Sequence, residues 1–182
     1  MLRSPIDATV LQVGVRVGEF VAAGAKAVIQ GPKGKRKVAV EDVPVGPGKN
    51  SLKKGELIEA IELPARKGKS GDAYLRFIPR TEMDIAVVSA AVSLTLGEKG
   101  VIKDARVSLG AVDPTVLLVK AAAKAIIGTK LDEAALEKLG QAASAACSPI
   151  DDKRGTIEFR TKVAAVLAKR AAQIAYKRAG GK

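Results

Sequence analysis

Four residues, Gly97-Glu-Lys-Gly100, separate two long β-type runs, and that short spacer constrains the fold more than any other feature. The run before it, residues 86–96, is rich in Ala, Val, Ser and Leu, and the run after it spans residues 101–112. Strands joined by so compact a loop must lie side by side and antiparallel, because a parallel return needs a crossover of a dozen residues or more. A third run, residues 73–78, precedes them across the polar turn Pro79-Arg-Thr-Glu-Met-Asp84. The three together predict an antiparallel sheet. The stretch from Ala73 to Leu96 is its organising segment, and Asp84-Ile85-Ala86 marks the point where turn becomes core. Backbone at such a junction is open to a ligand while the strand behind holds it still.

Upstream, the pattern is also β-like. Thr9, Leu11, Val13, Val15 and Val17 alternate with more polar positions, as a strand requires. Residues 27–30 and 36–40 read as two strands around the turn Gly31-Pro-Lys-Gly34. Val45-Gly-Pro-Gly-Lys-Asn-Ser51 invites a phosphate-loop reading, but Val43 stands where a Walker A loop needs its first glycine and Asn50 where it needs Ser or Thr. It is read as a structural loop. Residues 56–63 favour a strand ended by Pro64, and the basic connector 65–71 is the natural domain boundary.

Downstream the period changes to that of helices. Pro114 predicts a helix entry, with the end near Gly128. Thr129-Lys-Leu-Asp132 resembles a capping box before a helix over 133–147, with Leu136, Leu139 and Ala143 on one face. After Pro149 and the loop 150–155, a last long helix repeats Phe159, Val163, Val166, Leu167, Ala171 and Ile174 at helical spacing. Its end carries Lys169, Arg170, Lys177 and Arg178, where cations complement the helix dipole. Asp151-Asp152 could be a carboxylate pair for acid–base work, but its place before a helix favours a charge or cap role. Strands followed by helices give an α+β domain, a three-stranded antiparallel sheet packed against three helices, preceded by a β-rich segment.

Composition removes several kinds of chemistry. There is no histidine among the 182 residues and one cysteine, Cys147, which excludes Ser-His and Cys-His nucleophiles, histidine-containing metal sites and intrachain disulfides or cysteine-rich clusters. A redox role must therefore use a cofactor held by backbone and polar side chains. Arg3, Asp7, Gln12 and Arg16 interrupt any signal-like apolar core, the run 85–92 is too short to span a bilayer, and a cytoplasmic location is expected. The net charge of +12 raises nucleic acid as a partner, yet the cations are scattered and no aromatic residues are interleaved with them. Solvation of loops and helix ends, then docking onto acidic proteins, are the better readings of that charge.

Four ordered stretches resemble a known family: Gly46-Pro-Gly-Lys with Lys54-Gly-Glu-Leu-Ile58 and Ile61-Glu-Leu-Pro64; Tyr74-Leu-Arg-Phe with Arg80 and Asp84-Ile-Ala86; Leu109-Gly-Ala-Val-Asp-Pro-Thr115; and Ser148-Pro-Ile-Asp-Asp-Lys-Arg-Gly155 with Phe159-Arg160. Together, over about residues 29–175, they are similar to the flavin-binding medium subunit of molybdenum hydroxylases of the aerobic carbon monoxide dehydrogenase and xanthine dehydrogenase type. The resemblance implies that residues 1–64 are the β-rich, incomplete end of an FAD-binding domain and that 72–182 are the carboxy-terminal domain of such a flavoprotein. It implies electron transfer from iron–sulfur clusters through FAD to an acceptor, within a hetero-oligomer holding a molybdopterin-binding large subunit and a 2Fe–2S small subunit. Asp84 and Ile85 match the turn that meets the flavin, and Arg76 and Arg80 match basic positions beside it, where a cation favours the reduced, anionic ring. Lys103 is a further match on the next strand. No residue takes a catalytic or metal-binding role. The family's glycine-rich diphosphate stretches have no counterpart here, so the expected FAD site is partial. The matching chain resembles a truncated or split medium subunit, inactive alone, and the alternative is a non-catalytic docking scaffold that binds no FAD by itself.

Overall fold

The computed structural model describes residues 24–65, 68–79 and 85–181. The expected strand around Thr9 to Val17 lies outside the described residues. So do Arg80 and Asp84.

The first described unit is a small sheet. Its central strand β1 (Lys26–Gly31) pairs antiparallel with β2 (Gly34–Ala39) on one side and, after a two-stranded excursion through β3 (Pro44–Gly46) and β4 (Lys49–Asn50), with β5 (Leu57–Glu62) on the other. Gly34 takes a positive φ of 114°, which the tight turn after Pro32 requires and which a side chain would resist. Ala25, Ala27, Ile29 and Val40 form its apolar centre. The strand reading of residues 56–63 is the one realised. The loop 45–51, read as structural, is a hairpin in which Lys49 and Asn50 are strand residues.

Arg36 ties this unit together. Its Nε donates to Glu56 Oε1 at 2.9 Å, and its Nη2 donates to Glu56 Oε2 at 2.8 Å and to the Ser51 carbonyl at 3.0 Å. The Lys53 amide donates to the same carboxylate at 2.7 Å. This two-pronged bonding by Arg36, followed by the Lys53 amide, pulls the Glu56 carboxyl from 4.5 down to about 2.

The second unit has a four-stranded antiparallel sheet in the order β6 (Lys69–Phe77), β7 (Val88–Leu96), β8 (Ile102–Gly110), β9 (Leu117–Leu118). The hairpin at Gly97–Gly100 joins β7 to β8 as its length demands. The sequence gives three of these strands. β9 is two residues long, too short for alternation to register. It also displaces the expected helix start: Leu117 and Leu118 pair with Leu109 and Ser108, and the Val119 amide donates to the Val107 carbonyl at 2.8 Å. Those backbone groups are committed to the sheet, so α1 runs over Lys120–Ile126 instead of beginning at Pro114.

α2 (Glu133–Ala145) is capped by Asp132, whose carboxylate accepts from the Ala135 amide at 2.8 Å. The capping-box expectation is corrected in one respect. Thr129 faces back, donating to the Ile126 carbonyl and accepting from the Leu131 amide, and so closes α1. Leu136, Leu139 and Ala143 are buried as their spacing predicts. No described helix is long and apolar enough to cross a membrane.

α3 (Ile157–Arg178) lies along β6 and β7, capped by Thr156, which accepts from the Phe159 amide. Its buried face is Arg160, Ala164, Leu167, Ala168, Ala171, Ala172, Ala175 and Tyr176. This differs from the expected stripe: Phe159 and Val166 are 41% and 44% exposed. The reason is the closeness of the contact. A Cβ on Gly71 of β6 would stand 2.1 Å from the Ala175 carbonyl oxygen and 2.6 Å from the Ala179 nitrogen. Backbone meets backbone there, so the facing helix side must be alanine and the large residues turn to the margin.

Two outcomes follow from these contacts. Gly71→Ala should lower stability by about 3 kcal/mol, since neither strand nor helix backbone can yield locally; urea denaturation of the full chain measures it, and a loss within the error of the extrapolation would contradict the contact. Because the Glu56 carboxyl is held lower folded than unfolded, its contribution is fully present above pH 4.5 and is lost as pH falls towards about 2. An acid titration followed by denaturant midpoint should therefore fall across that window, and less steeply in Glu56→Gln.

Candidate functional site

The end of the main sheet where β6 leaves and β7 enters gathers most of the residues singled out in the sequence. The last β6–β7 pair is Phe77↔Val88, and the last β7–β8 pair is Ser89↔Gly110. Just beyond, the Val87 amide still donates to the Phe77 carbonyl at 3.0 Å. Within three residues the chain passes from open to fully buried. Ile85 is 49% exposed, Ala86 is 5% exposed and Val87 is 0% exposed. An isoleucine held in the open directly before buried, paired backbone is the junction expected of a ligand-facing lip.

Arg76 lies one residue inside this end of β6. It is exposed and stands opposite Ser89, which in turn stands opposite Gly110. Ser89 is 1% exposed, and its Oγ has no hydrogen-bond partner. A cation and an unsatisfied hydroxyl thus occupy neighbouring positions on one face, the face opposite the helices, since Val88, Ala90 and Val92 belong to the core cluster beneath α3. Buried hydroxyls are normally satisfied, so an orphan beside a cation is a place where a polar group fits.

Lys103 is not brought to this group. It is the extra residue of a β-bulge where Thr95 faces Asp104 and Leu96 faces Ile102, at the far end of β8. Gly110 is seven positions further along the strand, roughly 23 Å at the usual rise. Its strand was legible, but its place along the strand depends on register. Arg80 and Asp84 belong to the same β6–β7 connection in sequence and lie outside the described residues.

Sequence reasoning missed what stands behind the lip. The loop 148–156 and the first turn of α3 pack there. Phe159 meets Phe77 edge-on, with ring centres 5.7 Å apart and planes at 67°. Gly155 allows this: a Cβ there would be 3.0 Å from Phe159 and 3.5 Å from Val87. Arg160, 3% exposed, donates from Nη1 to the Val87 carbonyl at 2.7 Å, from Nε to the Gly155 carbonyl at 3.1 Å and from Nη2 to Asp152 Oδ1 at 2.6 Å. Asp152 also accepts from the Arg154 amide at 2.8 Å, and that bond, then Arg160, holds its carboxyl below the ordinary aspartate value. Asp152 is therefore a structural acceptor in a turn. The cap role expected for the Asp151-Asp152 pair is filled by Thr156. A signal for Arg160 was present, since it precedes Ala164 by four residues and Leu167 by seven on the buried helix face.

Cys147 does not offer a nucleophile. Burial first, and the nearby Asp113 second, push its thiol up to about 11, and its Sγ donates to the Ala143 carbonyl.

With this geometry established, comparison with known proteins gives a consistent answer. The sequence profile of the CO dehydrogenase flavoprotein C-terminal domain matches residues 73–175. The carbon monoxide dehydrogenase medium chain of Afipia carboxidovorans is 38% identical over 86% of this chain and 54% of its own length. The xanthine dehydrogenase FAD-binding subunit of Escherichia coli O157:H7 is 28% identical over 87% of this chain and 54% of its own. Among solved structures, reconstituted CO dehydrogenase from Oligotropha carboxidovorans superposes with a TM-score of 0.82 at 36% identity, covering 87% of this chain and 55% of that one. The chain spans about half the length of the curated relatives it matches. Most of the four-stranded sheet and of its three helices, with the junction at Ile85, thus falls within the matched residues, and the chain belongs to the family of the CO dehydrogenase flavoprotein C-terminal domain.

Proposed function

We propose that this chain supplies one wall of an FAD site in the flavoprotein subunit of a molybdenum-containing hydroxylase, and that it works in electron transfer from iron–sulfur clusters to an acceptor. The observation that carries the reading is Ile85, kept 49% exposed on backbone that is fully buried two residues later. An apolar side chain and its peptide groups at such a lip suit the flat face of a ring. The residues beside it fit the same group: Arg76 contributes positive charge, and the unpartnered Ser89 hydroxyl contributes a hydrogen-bonding group on the same sheet face. Arg80 and Asp84, in the same connection, belong to the proposed site. Lys103 does not, since the register separates it from the lip.

Flavin, when bound, supplies the ability to accept electrons singly and release them in pairs. The protein's own part is narrower. Ile85 excludes water from one face, and Arg76 and Arg80 favour added negative charge by Coulomb attraction. Residues 72–182 form the carboxy-terminal domain in this reading, and residues 1–64 the end of the flavin-binding domain. A diphosphate cradle is not among the described elements, because Gly46 and Gly48 lie in the β3–β4 hairpin. The partners are a molybdopterin-binding large subunit and a 2Fe–2S small subunit, in a cytoplasmic hetero-oligomer. A second reading is a docking scaffold that binds no FAD by itself.

Titration of FAD with the full chain, followed by quenching of flavin fluorescence, separates the two. The flavin reading expects quenching, stronger when the two partner subunits are added, and a roughly tenfold weaker affinity in Arg76→Gln, equivalent to about 1.4 kcal/mol. No quenching by the chain, alone or with those subunits, would leave docking as its function.

A further inference from the structure

Arg160 is the one charged side chain fully buried among the described residues, and its three hydrogen bonds end on two pieces of the fold, the entry to β7 and the turn 152–155. A buried cation persists only where its donors are satisfied, so this arrangement is a built one. Its most informative partner is the Val87 carbonyl, at 2.7 Å. Val87 lies beyond the last register pair with β6, which is Phe77↔Val88, and beyond the last pair with β8, which is Ser89↔Gly110. The guanidinium supplies a donor at the point where strand pairing has run out. Asp152 and the Gly155 carbonyl hold the other two edges of the fork, which fixes its plane.

We propose that Arg160 is a positioning residue for the Ile85 lip: it locks the Val87 carbonyl against the 152–155 turn and the first turn of α3, and so fixes the orientation in which Ile85 and Ala86 meet a flat ligand. The inference rests on the flavin reading for the identity of that ligand, and on geometry alone for the lock. Val87 is held from two sides, its amide by Phe77 and its carbonyl by Arg160. Ile85 is two residues away, close enough that rotation of the Val87 peptide would redirect it. Arg160 itself touches neither ligand nor solvent.

Lysine at 160 keeps the charge and can reach one acceptor, but it cannot serve three in a fixed plane. Hydrogen exchange by mass spectrometry on the full chain, with Arg160→Lys and Arg160→Gln beside the wild type, tests the lock directly. Exchange should rise at least tenfold over residues 86–88 and 152–156 in both variants, while residues 90–96 and 164–175 keep their protection. Should Arg160→Gln lose protection throughout, Arg160→Lys carries the comparison. Unchanged exchange over 86–88 in Arg160→Lys would overturn the inference. In the same samples, quenching of FAD fluorescence should weaken in the order wild type, Arg160→Lys, Arg160→Gln. Selective exchange with quenching identical to the wild type would also overturn it, because the lock would then not serve the lip. A wild type that fails to quench flavin sinks the functional reading instead, and the exchange comparison still decides whether Arg160 fixes the lip.

Discussion

The contact between α3 and β6 at Gly71 sets the terms for the rest of the second unit. A Cβ at that position would lie 2.1 Å from the Ala175 carbonyl oxygen, so strand and helix are as near as backbone atoms permit. A helix held at that distance can present only small side chains to the sheet, and Ala164, Ala168, Ala171, Ala172 and Ala175 are all fully buried. This also accounts for a core in which Tyr176 is the one aromatic among the described buried residues, in a chain where only 3% of residues are aromatic. Small residues bury little area each, and the closeness of packing compensates through many dispersion contacts. The helix is then pinned at both ends. Tyr176 donates to the Gly100 carbonyl at 2.7 Å and Arg178 to the Asp72 carbonyl at 2.8 Å near one end, and Arg160 reaches Val87 at the other. One close approach thereby fixes both the β7–β8 hairpin and the candidate lip relative to a single rigid rod.

That geometry explains where the sequence was readable. Strand alternation and the four-residue hairpin spacer are local properties, and the three long strands of the main sheet follow from them. The α2 face was readable for the same reason, since Leu136 and Leu139 are large and periodic. The α3 face was readable in part: Leu167 and Ala171 are buried and Val163 and Ile174 pack against the core, while Phe159 and Val166 are exposed. Periodicity weighted by hydrophobicity favours Phe159 and Val166 over alanines, and the decision between them comes from Gly71, about a hundred residues earlier in the chain. Pro114 misled in a similar way: it can start a helix, but Leu117, Leu118 and Val119 were already engaged by β8. In each case a tertiary partner overrode a sound local preference.

The site divides along the same line. Ile85 and Arg76 were visible as a turn-to-core junction and a nearby cation. Their neighbour Ser89 carried no signal, because a serine in a strand is unremarkable until its burial and lack of a partner are known. Lys103 shows the complementary limit. Its strand was correct, and only the bulge and the register reveal that it sits at the opposite end from the lip.

Charge illustrates how position outweighs number. Several of the cations behind the net +12 are exposed and paired with nearby carboxylates, as in Lys35–Glu59, Lys37–Glu62 and Lys162–Glu158, and pairs of that kind contribute little individually. They fit the solvation reading of the basic composition. Arg160 is different in kind. Its guanidinium is out of water, so each acceptor it holds is held in a low-dielectric setting where breaking the bond would strand a buried charge. Such a support acts on the lip, because Ile85 is half in solvent and lies two residues before the carbonyl that Arg160 holds. In that proposal the junction shares the rigidity of α3, whose buried alanines bring the helix close to the strands.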